Sequence, residues 1–403
     1  MKNLALAGVR VLALENYVAG PLASMLLADW GAEVVKIEPP IGDAYRMFPP
    51  VIQGNDDDQS TPSFARINRD KRSVVLDVRH ADDAKTFLDL VGAADVVIEN
   101  LRPGTLNRIG IGFDVLREHN SDIILVSLSG FGQPDVLPGP LTDMPAFDLI
   151  GQAMSGVTFG PGREDQPPMY LGFPIADTML GDWGAMAVLL ALRKRDGGAG
   201  AQHIDVSMYD VMMHANEYAL GNFAYTGELP VRGRLPTSAP FDFFRASDGY
   251  FSLAVSGNQN WVRLCEAMGM PDLAEDPRFA DGRSRATVVE DVIRPIIEGW
   301  VGDRTVDEIC QVLHASNVPC SPAQDAKAVY ACEHARARNA WTVVPDRVLG
   351  DVEVVANPLK WRDEPAPAPG APPRLGEHTD DVVEKWLEAS PYDGQGGRRA
   401  GAS

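Results

Sequence analysis

Three consecutive stretches near the start of the chain decide its fold: VRVLAL at residues 9–14, YVAGPLASMLLADWG at residues 17–31 and EVVKIE at residues 33–38. The first and third are short runs rich in Val, Leu and Ile, which is typical of buried strands. The middle stretch predicts a helix over about residues 22–30, and Gly31 stands where that helix should stop. A strand, a helix and a second strand form a β-α-β unit, which implies a parallel sheet.

The same alternation continues to about residue 130. Further strand-like runs occupy residues 73–78, 94–98 and 123–129, and a helical pattern occupies residues 81–91. We therefore predict a doubly wound α/β domain of the Rossmann type. A long helix is then predicted over residues 176–195, and a short strand with further helix follows up to residue 225.

From about residue 229 the sequence changes character. Residues 241–254 predict two short strands around an Asp248-Gly249 turn, which is a hairpin signal. Amphipathic helices continue to about residue 316, so this part of the chain predicts a second, smaller α+β domain. Residues 364–373 are rich in proline and predict a semi-rigid linker. A last helix is predicted over residues 380–387.

Length and charge exclude several classes of protein. A chain of 403 residues exceeds what one domain usually needs, so two domains are expected. The formal net charge of −20 argues against general nucleic-acid binding and against docking on anionic membranes. The apolar run at residues 184–192 has about half the roughly 20 residues of a membrane-spanning helix.

The N-terminus shows no signal-peptide pattern, and the four cysteines form no C-x-x-C pair. We expect a cytoplasmic, reduced protein with no metal site.

The first β-α-β unit raises the question of a dinucleotide site. Glu38 ends the second strand, where an acidic residue binds a ribose hydroxyl in dinucleotide-binding folds. The glycine fingerprint is absent, however, because Gly20 is the single glycine between strand and helix. A purely structural unit is therefore favoured over a nicotinamide or flavin site. A third alternative is that the helix N-terminus lies near another phosphate-bearing ligand.

A series of short motifs carries a family resemblance. They stand in this order: VAGP at 18–21, LADWGAEVVKIEP at 27–39, GD at 42–43, NxxKRSxxLD at 68–77, ADVVIENxRPG at 94–104, SGFG at 129–132, PAFD at 145–148 with QAMSG at 152–156, AD at 176–177 with Gly181, and LGEHT at 375–379. In this order the chain resembles the family III CoA-transferases over about residues 6–387.

The resemblance implies an architecture and an assembly. It implies a Rossmann-like large domain built from residues 1–225 and completed by a C-terminal segment of residues 331–389. It places an inserted small α+β domain at residues 226–330, and residues 390–403 are expected to be a disordered tail. The resemblance also implies a homodimer in which two ring-like chains interlock.

Asp177 opens the long predicted helix and has two interpretations. Aspartate is common at helix starts, where it caps backbone N–H groups and interacts favourably with the helix dipole. The resemblance implies instead that Asp177 is a nucleophile, because it lies where the family carries one. A helix N-terminus would then be expected to keep this carboxylate ionised. In the implied mechanism, Asp177 forms a mixed anhydride with the donor acyl group and then an aspartyl-CoA thioester.

Phe147 distinguishes a CoA-transferase from a racemase. The α-methylacyl-CoA racemases share the fold and carry a His-Asp pair where this chain has Phe147 and Asp148. Racemisation needs two acid/base groups, and phenylalanine cannot transfer a proton. Racemase or isomerase activity stays a disfavoured alternative. A non-catalytic acyl-CoA-binding protein is a further alternative, although it would be expected to have lost Asp177.

The resemblance also implies the residues that contact CoA. They are Ala19, Leu76, Arg79, Asn100, Leu101, Arg102 and Arg108. Residues 61–110 contain eight basic and seven acidic side chains, so this segment lacks the excess of negative charge found in the rest of the chain. CoA and acyl-CoA are implied as substrates, with a small carboxylic acid as partner, and no cofactor is expected to stay bound. Two departures from formyl-CoA transferase, Pro39 and the lack of a glycine run near residues 237–241, weaken oxalate and formate as substrates.

Overall fold

The computed structural model describes residues 4–55, 58–363 and 367–389. The strands are β1 (Arg10–Leu14), β2 (Glu33–Glu38), β3 (Ile52–Gln53), β4 (Gln59–Ser60), β5 (Lys71–Val75), β6 (Val96–Glu99), β7 (Ile124–Ser129), β8 (Gln202–Ser207), β9 (Phe241–Arg245), β10 (Tyr250–Ala254), β11 (Cys320–Pro322), β12 (Trp341–Asp346) and β13 (Gly350–Val355).

The helices are α1 (Ala19–Ala28), α2 (Pro62–Asn68), α3 (Ala81–Val91), α4 (Thr105–Arg108), α5 (Phe113–His119), α6 (Asp148–Met154), α7 (Ile175–Asp196), α8 (Met208–Ala215), α9 (Glu217–Thr226), α10 (Asn258–Ala267), α11 (Gly282–Val288), α12 (Arg294–Val301), α13 (Val306–Ala315), α14 (Ala326–Ala331), α15 (Glu333–Ala337) and α16 (Thr379–Ala389). Short 3-10 turns occupy Ala44–Met47, Val157–Phe159, Pro271–Ala274 and Pro277–Phe279, and a π-helical turn at Val289–Ile293 precedes α12.

Six parallel strands form one sheet in the order β5-β2-β1-β6-β7-β8. This confirms the predicted mixed α/β fold with a central parallel sheet. The chain builds outward from β1 through β2 to β5, and then crosses to β6 on the other side of β1. The strand order therefore reverses between β1 and β6. In open parallel sheets, ligands bind beyond the carboxyl ends of the strands at this point of reversal.

Helices cover both faces of the sheet. On one face, α3, α5 and α16 share a buried apolar cluster with the strands, and Leu125 of β7 belongs to it. Leu128 lies three residues further along β7 and faces α7 on the other side, where a Cβ on Gly184 would meet Leu128 Cδ2 at 2.9 Å. Side chains alternate across a strand, so the two residues serve opposite layers. Two-sided burial explains why these strands are continuously apolar.

Contacts divide the chain into two compact units. The larger contains residues 1–155, 170–215 and 336–403, and the smaller contains residues 156–169 and 216–335. The boundaries drawn from the sequence, after residues 225 and 330, fall close to two of these divisions. No sequence pattern indicated that residues 156–169 group with the smaller unit, because that segment is too short to carry a pattern of its own.

The smaller unit has its own sheet and core. Strands β11, β10 and β9 pair antiparallel in that order, and β9 and β10 form the predicted hairpin. Helices α10, α12 and α13 supply Trp261, Ile297 and Leu313 to a buried cluster with Phe244 and Phe251 of the hairpin. This is the α+β character predicted for the region.

Helix α7 corrects one expectation drawn from the sequence. It is 22 residues long and, by length and mean hydropathy alone, apolar enough to cross a membrane. The apolar run at residues 184–192 is the middle of this helix. Eight of its residues, including Leu180, Gly184 and Val188, are buried within the larger unit, where the helix packs on α1, α8 and β7. Packing inside the protein accounts for the apolar residues on the buried side of the helix.

The motif at residues 375–379 closes the edge of the sheet at β5. Ser73 of β5 donates its N–H to His378 Nδ1 at 3.3 Å and accepts a bond from His378 N at 2.9 Å. The N–H of Val75 bonds Thr379 Oγ1 at 3.0 Å. Side chains of the C-terminal segment thus satisfy an edge strand that would otherwise be open. Part of the predicted linker, residues 364–366, and the predicted tail from residue 390 lie outside the described residues.

Candidate active site

Asp177 lies in the first turn of α7, but it does not cap the helix. The capping carboxylate is that of Asp148, the first residue of α6. Its Oδ1 accepts the N–H groups of Ala176 at 2.7 Å and Asp177 at 3.2 Å. Gln152 holds the other oxygen of Asp148 at 2.7 Å. The capping role weighed for Asp177 is therefore filled by a residue from another helix.

The environment of Asp177 raises the pKa of its carboxyl to about 7. Burial is the larger cause, and the negative charge of Asp148 adds to it. Within the described residues, no cation offsets either effect. The helix N-terminus, expected to keep this carboxylate ionised, does not hold its pKa low, because burial and a like charge outweigh the helix dipole. A carboxyl group with a pKa near neutrality is typical of functional sites.

Close packing between α1 and α7 places Asp177 near the carboxyl edge of the sheet. Gly181 stands one turn after Asp177, and a Cβ there would come within 2.9 Å of the carbonyl oxygen of Ala19. Only glycine allows so close an approach. Ala19 opens α1, which follows the carboxyl end of β1. The first turns of α1 and α7 therefore lie side by side where the strand order reverses.

The loops after β1 and β6 are joined at the same edge. Asn100, directly after β6, accepts the N–H of Asn16 at 2.8 Å and donates Nδ2 to the Asn16 carbonyl at 2.8 Å. Tyr17 then turns the chain with a φ of +61°, a strained value for a side chain of this size. This paired geometry fixes the backbone that leads into α1.

A buried ionic cluster lies beneath these loops. Lys36 bonds Asp43 at 2.8 Å and approaches Glu15 at 3.4 Å, while Lys71 bonds Glu15 at 2.7 Å. Burial would raise the pKa of Glu15, but the charges of Lys71 and Lys36 outweigh it and lower that pKa. Two cations and two anions balance, as buried charges must. Because Asp43 also accepts the N–H of Tyr17, the cluster holds the strained turn in place.

The structure places the predicted CoA-contacting residues after the carboxyl ends of three strands. Ala19 follows β1, Leu76 and Arg79 follow β5, and the remaining four follow β6. Ala19 and Leu76 are buried, and Asn100 is committed to Asn16.

The three predicted arginines differ in the hydrogen bonds and ion pairs that their guanidinium groups already make. Arg79 is exposed and forms a two-bond pair with Asp77. Arg108 is exposed and bonds the Pro103 carbonyl at 3.0 Å and Thr105 Oγ1 at 2.7 Å. Arg102 lies exposed on the loop between β6 and α4. Arg102 is the residue of the three whose guanidinium makes no hydrogen bond or ion pair among those the structure describes.

Two residues that the sequence reasoning missed hold the loop after β6. Glu99 is buried at the end of β6 and accepts the N–H of Leu101 at 2.8 Å and Gln133 Nε2 at 3.0 Å. Gln133 in turn accepts the N–H of Gly104 at 3.0 Å. Burial raises the pKa of Glu99 to about 7. Glu99 stands inside the ENxRPG motif, but its partner Gln133 lies 34 residues away, so sequence alone could not pair them.

Glu38 is not available to a ribose. Arg46 binds its carboxylate through two bonds, at 2.7 and 2.8 Å, and Ser73 donates a third at 2.6 Å. Burial would raise the pKa of Glu38, but the bonds and charges of Arg46 and Lys36 lower it to about 2. The missing glycines favoured a structural unit over a dinucleotide site, and the bonds made by Glu38 agree with that preference. Among the described residues, no three His, Cys, Asp or Glu side chains cluster as metal ligands do.

Two aromatic side chains pack together beside Asp148. Phe147 precedes Asp148 and packs edge-on against Tyr17, with ring centres 6.0 Å apart. Burial and the negative charges of Asp148 and Asp177 raise the pKa of the Tyr170 hydroxyl. Phe147 stays 65 % exposed despite its contact. The position that would hold a proton-transferring histidine in a racemase therefore offers only an apolar ring.

Comparisons with known proteins agree on one family. A sequence model described as CoA-transferase family III matches residues 6–379. A succinyl-CoA:mesaconate CoA-transferase of Haloarcula hispanica is 36 % identical over 94 % of this chain and 96 % of its own. An acetyl-CoA:oxalate CoA-transferase of Acetobacter aceti is 35 % identical over 91 % of this chain and 92 % of its own.

Two solved structures share the fold of this chain. A CAIB/BAIF family protein from Brucella suis superposes with a TM-score of 0.83 and 29 % identity, covering 96 % of this chain and 100 % of that one. A hypothetical protein from Mycobacterium tuberculosis gives a TM-score of 0.82 and 31 % identity, over 94 % and 99 % of the two chains.

Proposed function

Because the chain belongs to the family III CoA-transferases, we propose that it moves CoA from an acyl-CoA donor to a carboxylic acid through covalent intermediates on Asp177. The observation that carries this proposal is the carboxyl group of Asp177. It lies at the carboxyl edge of the sheet and has a pKa of about 7. It does not cap α7, because Asp148 fills that role. A group so placed is ionised often enough to attack and desolvated enough to be reactive.

The first half of the reaction loads CoA onto the enzyme. An Asp177 oxygen attacks the donor thioester carbon, the C–S bond breaks, and CoA leaves as thiolate. The product on the protein is a mixed anhydride. The thiolate then attacks the Asp177 carbonyl carbon and the anhydride C–O bond breaks. The donor acid leaves with an Asp177 oxygen, and an aspartyl-CoA thioester remains.

The second half reverses these steps with the acceptor. Its carboxylate attacks the aspartyl thioester, releasing thiolate and forming a new anhydride. The thiolate attacks the acceptor carbonyl, so acceptor acyl-CoA forms and the Asp177 carboxylate returns. No oxidant and no nucleotide is consumed. Thioester energy is kept only while water is excluded.

The same proposal assigns CoA to the loops after β1, β5 and β6. Arg79, Arg102 and Arg108 would meet phosphates, since guanidinium groups suit bidentate phosphate recognition. Ala19, Leu76, Asn100 and Leu101 would line the path toward Asp177. Arg102 is the strongest candidate of these, because its side chain is exposed and uncommitted.

The test follows a labelled oxygen. We would mix the protein with succinyl-CoA or acetyl-CoA and an acid carrying ¹⁸O in its carboxyl group, then analyse thioesters and acids by mass spectrometry. A new acyl-CoA should form, and ¹⁸O should reach the released donor acid through Asp177. Asp177→Asn should reduce both signals at least about a thousandfold, as loss of a covalent nucleophile does. Asp182→Asn, on the exposed side of α7, should leave both signals intact.

Two outcomes contradict the proposal. Transfer that survives in Asp177→Asn removes the nucleophile from the mechanism. Deuterium entering the α-carbon of a branched acyl-CoA in heavy water, without a new thioester, would instead establish the racemase alternative. That result would require a proton carrier other than Phe147.

We also propose a homodimer in the cytoplasm. The dimer is supported by an apolar groove of about 540 Å³ between α7, β8 and α8, lined in part by Trp183, Leu190 and Val211. Leu190, which lines this groove, is 64 % exposed, and large exposed apolar patches mark interfaces. The cytoplasmic location is supported by the low number of cysteines, four in the whole chain. Sedimentation should give a dimer for the native chain and a shift toward monomer for Leu190→Lys.

A further inference from the structure

Lys71, the first residue of β5, carries an ammonium group that the proposed mechanism does not use. Its Nζ lies 2.7 Å from Glu15 Oε1, 2.9 Å from the carbonyl oxygen of Pro21 and 2.9 Å from Asn68 Oδ1. An ammonium group has three N–H donors, so each donor of Lys71 has an acceptor. The side chains of Lys71 and Glu15 are inaccessible to solvent. This buried contact joins β5 to three other segments of the chain.

Two of these bonds fix the start of α1. The Pro21 carbonyl belongs to the first turn of the helix, and Ser24, in the next turn, donates its hydroxyl to Glu15 Oε1 at 2.9 Å. Lys71 thus holds α1 directly through Pro21 and indirectly through Glu15. Fully satisfied polar networks in the interior make the structure around them rigid. The position of the first turn of α1 is therefore set from β5.

Helix α1 packs closely against the helix that carries Asp177. A Cβ on Gly184 would lie 3.3 Å from the Cβ of Ala23, and one on Gly181 would lie 2.9 Å from the carbonyl oxygen of Ala19. Interiors packed this tightly transmit displacements from one element to the next. Ala19 is a proposed CoA contact, and Asp177 is the proposed nucleophile one turn before Gly181. Moving α1 would therefore move the bound thioester relative to the carboxyl group that attacks it.

The buried ionic cluster consists of two balanced pairs. Lys71 pairs with Glu15 at 2.7 Å and Lys36 pairs with Asp43 at 2.8 Å, and all four side chains are inaccessible to solvent. A second copy of the chain cannot reach them, so this balance is complete within one chain. Removing one member leaves an unpaired buried charge, which is strongly destabilising, whereas removing a whole pair leaves the other pair neutral.

We propose that Lys71 is a positioning residue of the CoA transfer, whose ammonium group fixes the first turn of α1 relative to Asp177. This inference rests on the proposed function, because it adds a residue to the same site. Lys71 does not touch the substrate and acts through Pro21 and Ala19. Positioning of this kind has large effects, since a misplacement of about 1 Å can reduce a rate about a hundredfold.

The charge of Lys71 gives this positioning a pH dependence. Burial lowers the pKa of Lys71 to about 8, with the charge of Lys36 in support and the charges of Glu15 and Asp43 in opposition. Its other two acceptors are an uncharged carbonyl and an uncharged amide. A neutral amine has two N–H donors for the three acceptors, so one bond is lost. We expect kcat to fall as pH rises through about 8.

The main experiment removes the Lys71–Glu15 pair as a unit. Lys71→Met alone should be unstable, because Glu15 is left unpaired. Glu15→Gln combined with Lys71→Met should recover most of the stability to urea, because Lys36 and Asp43 still balance. With acetyl-CoA or succinyl-CoA as donor, kcat of this double variant at pH 7.5 should stay at least about tenfold below the native value. Its fall above about pH 8 should disappear.

A second measurement does not depend on activity. Hydrogen exchange followed by mass spectrometry should show residues 17–28 exchanging at least about tenfold faster in the double variant, because α1 has lost its buried bonds. Residues of α5 should exchange as in the native protein. The matched control is Asp89→Asn combined with Lys85→Met, which removes an exposed pair on α3 at 3.1 Å. It should change neither kcat nor the exchange of residues 17–28.

The outcomes separate the inference from the proposed function. If the native chain transfers CoA and kcat recovers together with stability in the double variant, Lys71 only balances charge and the inference is wrong. Unchanged exchange of residues 17–28 overturns the inference at any level of activity. If the native chain transfers CoA to no acid, the proposed function fails together with the inference.

A measurement on the native chain decides the case in which the double variant does not fold. Lysine labelled with ¹³C at Cε reports the titration of buried ammonium groups by NMR. Burial would lower the pKa of Lys36, but the charges of Asp43 and Glu15 outweigh it and raise that pKa. A buried lysine that titrates near pH 8 is therefore Lys71. We expect kcat to fall as that signal titrates, and a constant kcat through the titration overturns the inference.

Discussion

Asp148 and Asp177 are acidic residues that meet at the start of one helix, and they do different work. Asp148 satisfies two backbone N–H groups of α7, while Asp177 makes no such bond within the described chain. A helix start normally needs one acceptor of this kind. Supplying it from α6 leaves Asp177 available for chemistry, although it also places a like charge beside it.

The two aspartates should therefore differ in their effect on stability. Asp148→Ala removes the acceptor for Ala176 and should lower the free energy of unfolding by about 1 kcal/mol, the usual effect of losing a cap. Asp177→Asn removes a buried charge and should not lower it at pH 8. Urea denaturation followed by circular dichroism measures both. A larger loss in Asp177→Asn would show that Asp177 supports the helix after all.

The raised pKa of Asp177 predicts the pH dependence of the first half-reaction. In the proposed mechanism only the carboxylate form of Asp177 attacks, so kcat/KM should rise with pH through about 7 and fall about tenfold per unit below it. Asp148→Asn keeps an oxygen to accept the Ala176 N–H but removes the charge. The pKa of Asp177 should then fall and the profile move to lower pH. If the pH profile does not move, burial alone raises the pKa of Asp177.

At the scale of elements, the loop after β6 is held by a relay of three hydrogen bonds. Glu99 at the end of the strand holds Leu101 and Gln133, and Gln133 holds Gly104. Gly104 has a φ of +69°, which glycine adopts without strain, and it leads into the short helix α4. Asn100, Leu101 and Arg102, three of the proposed CoA contacts, stand on this loop, so we expect the relay to set their position.

Gln133→Met should reveal this positioning role. Methionine fills the space but cannot accept the Gly104 N–H, and an unsatisfied partly buried donor costs about 1–3 kcal/mol. We expect KM for the acyl-CoA to rise about three- to tenfold while kcat changes little. Gln311→Met, on the exposed side of α13, is the control. An equal fall in kcat with unchanged KM would show that the loop acts on chemistry and not on binding.

At the scale of the whole molecule, the C-terminal motif connects distant parts of the chain. His378 accepts the Ser73 N–H through Nδ1, and burial lowers the pKa of His378. A depressed pKa means that the neutral ring contributes stability above its unfolded pKa of about 6.5, and that this contribution is lost as pH falls through the lower folded pKa.

His378→Asn should therefore destabilise the protein more at pH 7.5 than at pH 5. Asparagine supplies an acceptor that does not titrate, so the gap between variant and native protein should narrow on acidification. Urea unfolding at the two pH values measures it. A gap that stays constant would mean that the ring packs against β5 without its hydrogen bond mattering.

Sequence patterns predicted the sheet, and the family resemblance singled out Asp177, but neither predicted the partners of the residues around it. Local periodicity predicted β2 and α3 to the residue, because burial on one or both faces imposes a period along the chain. Helix α1 begins at Ala19, earlier than predicted, since Gly20 and Pro21 obscure the start of its pattern. The Asp148 cap and the His378 contact span 28 and 305 residues, and no local signal reports such pairs.

The covered edge at β5 has a consequence for how the protein is made. Gly376 and Ser73 are 303 residues apart in sequence. At ribosomal rates of about 5–20 residues per second, the strand waits roughly 15–60 s for the segment that covers it. During that time a nascent chain exposes the N–H groups of Ser73 and Val75 to any neighbouring strand. Slow translation or ribosome crowding should therefore favour aggregation before release, and chaperones that hold open sheet edges should improve the yield.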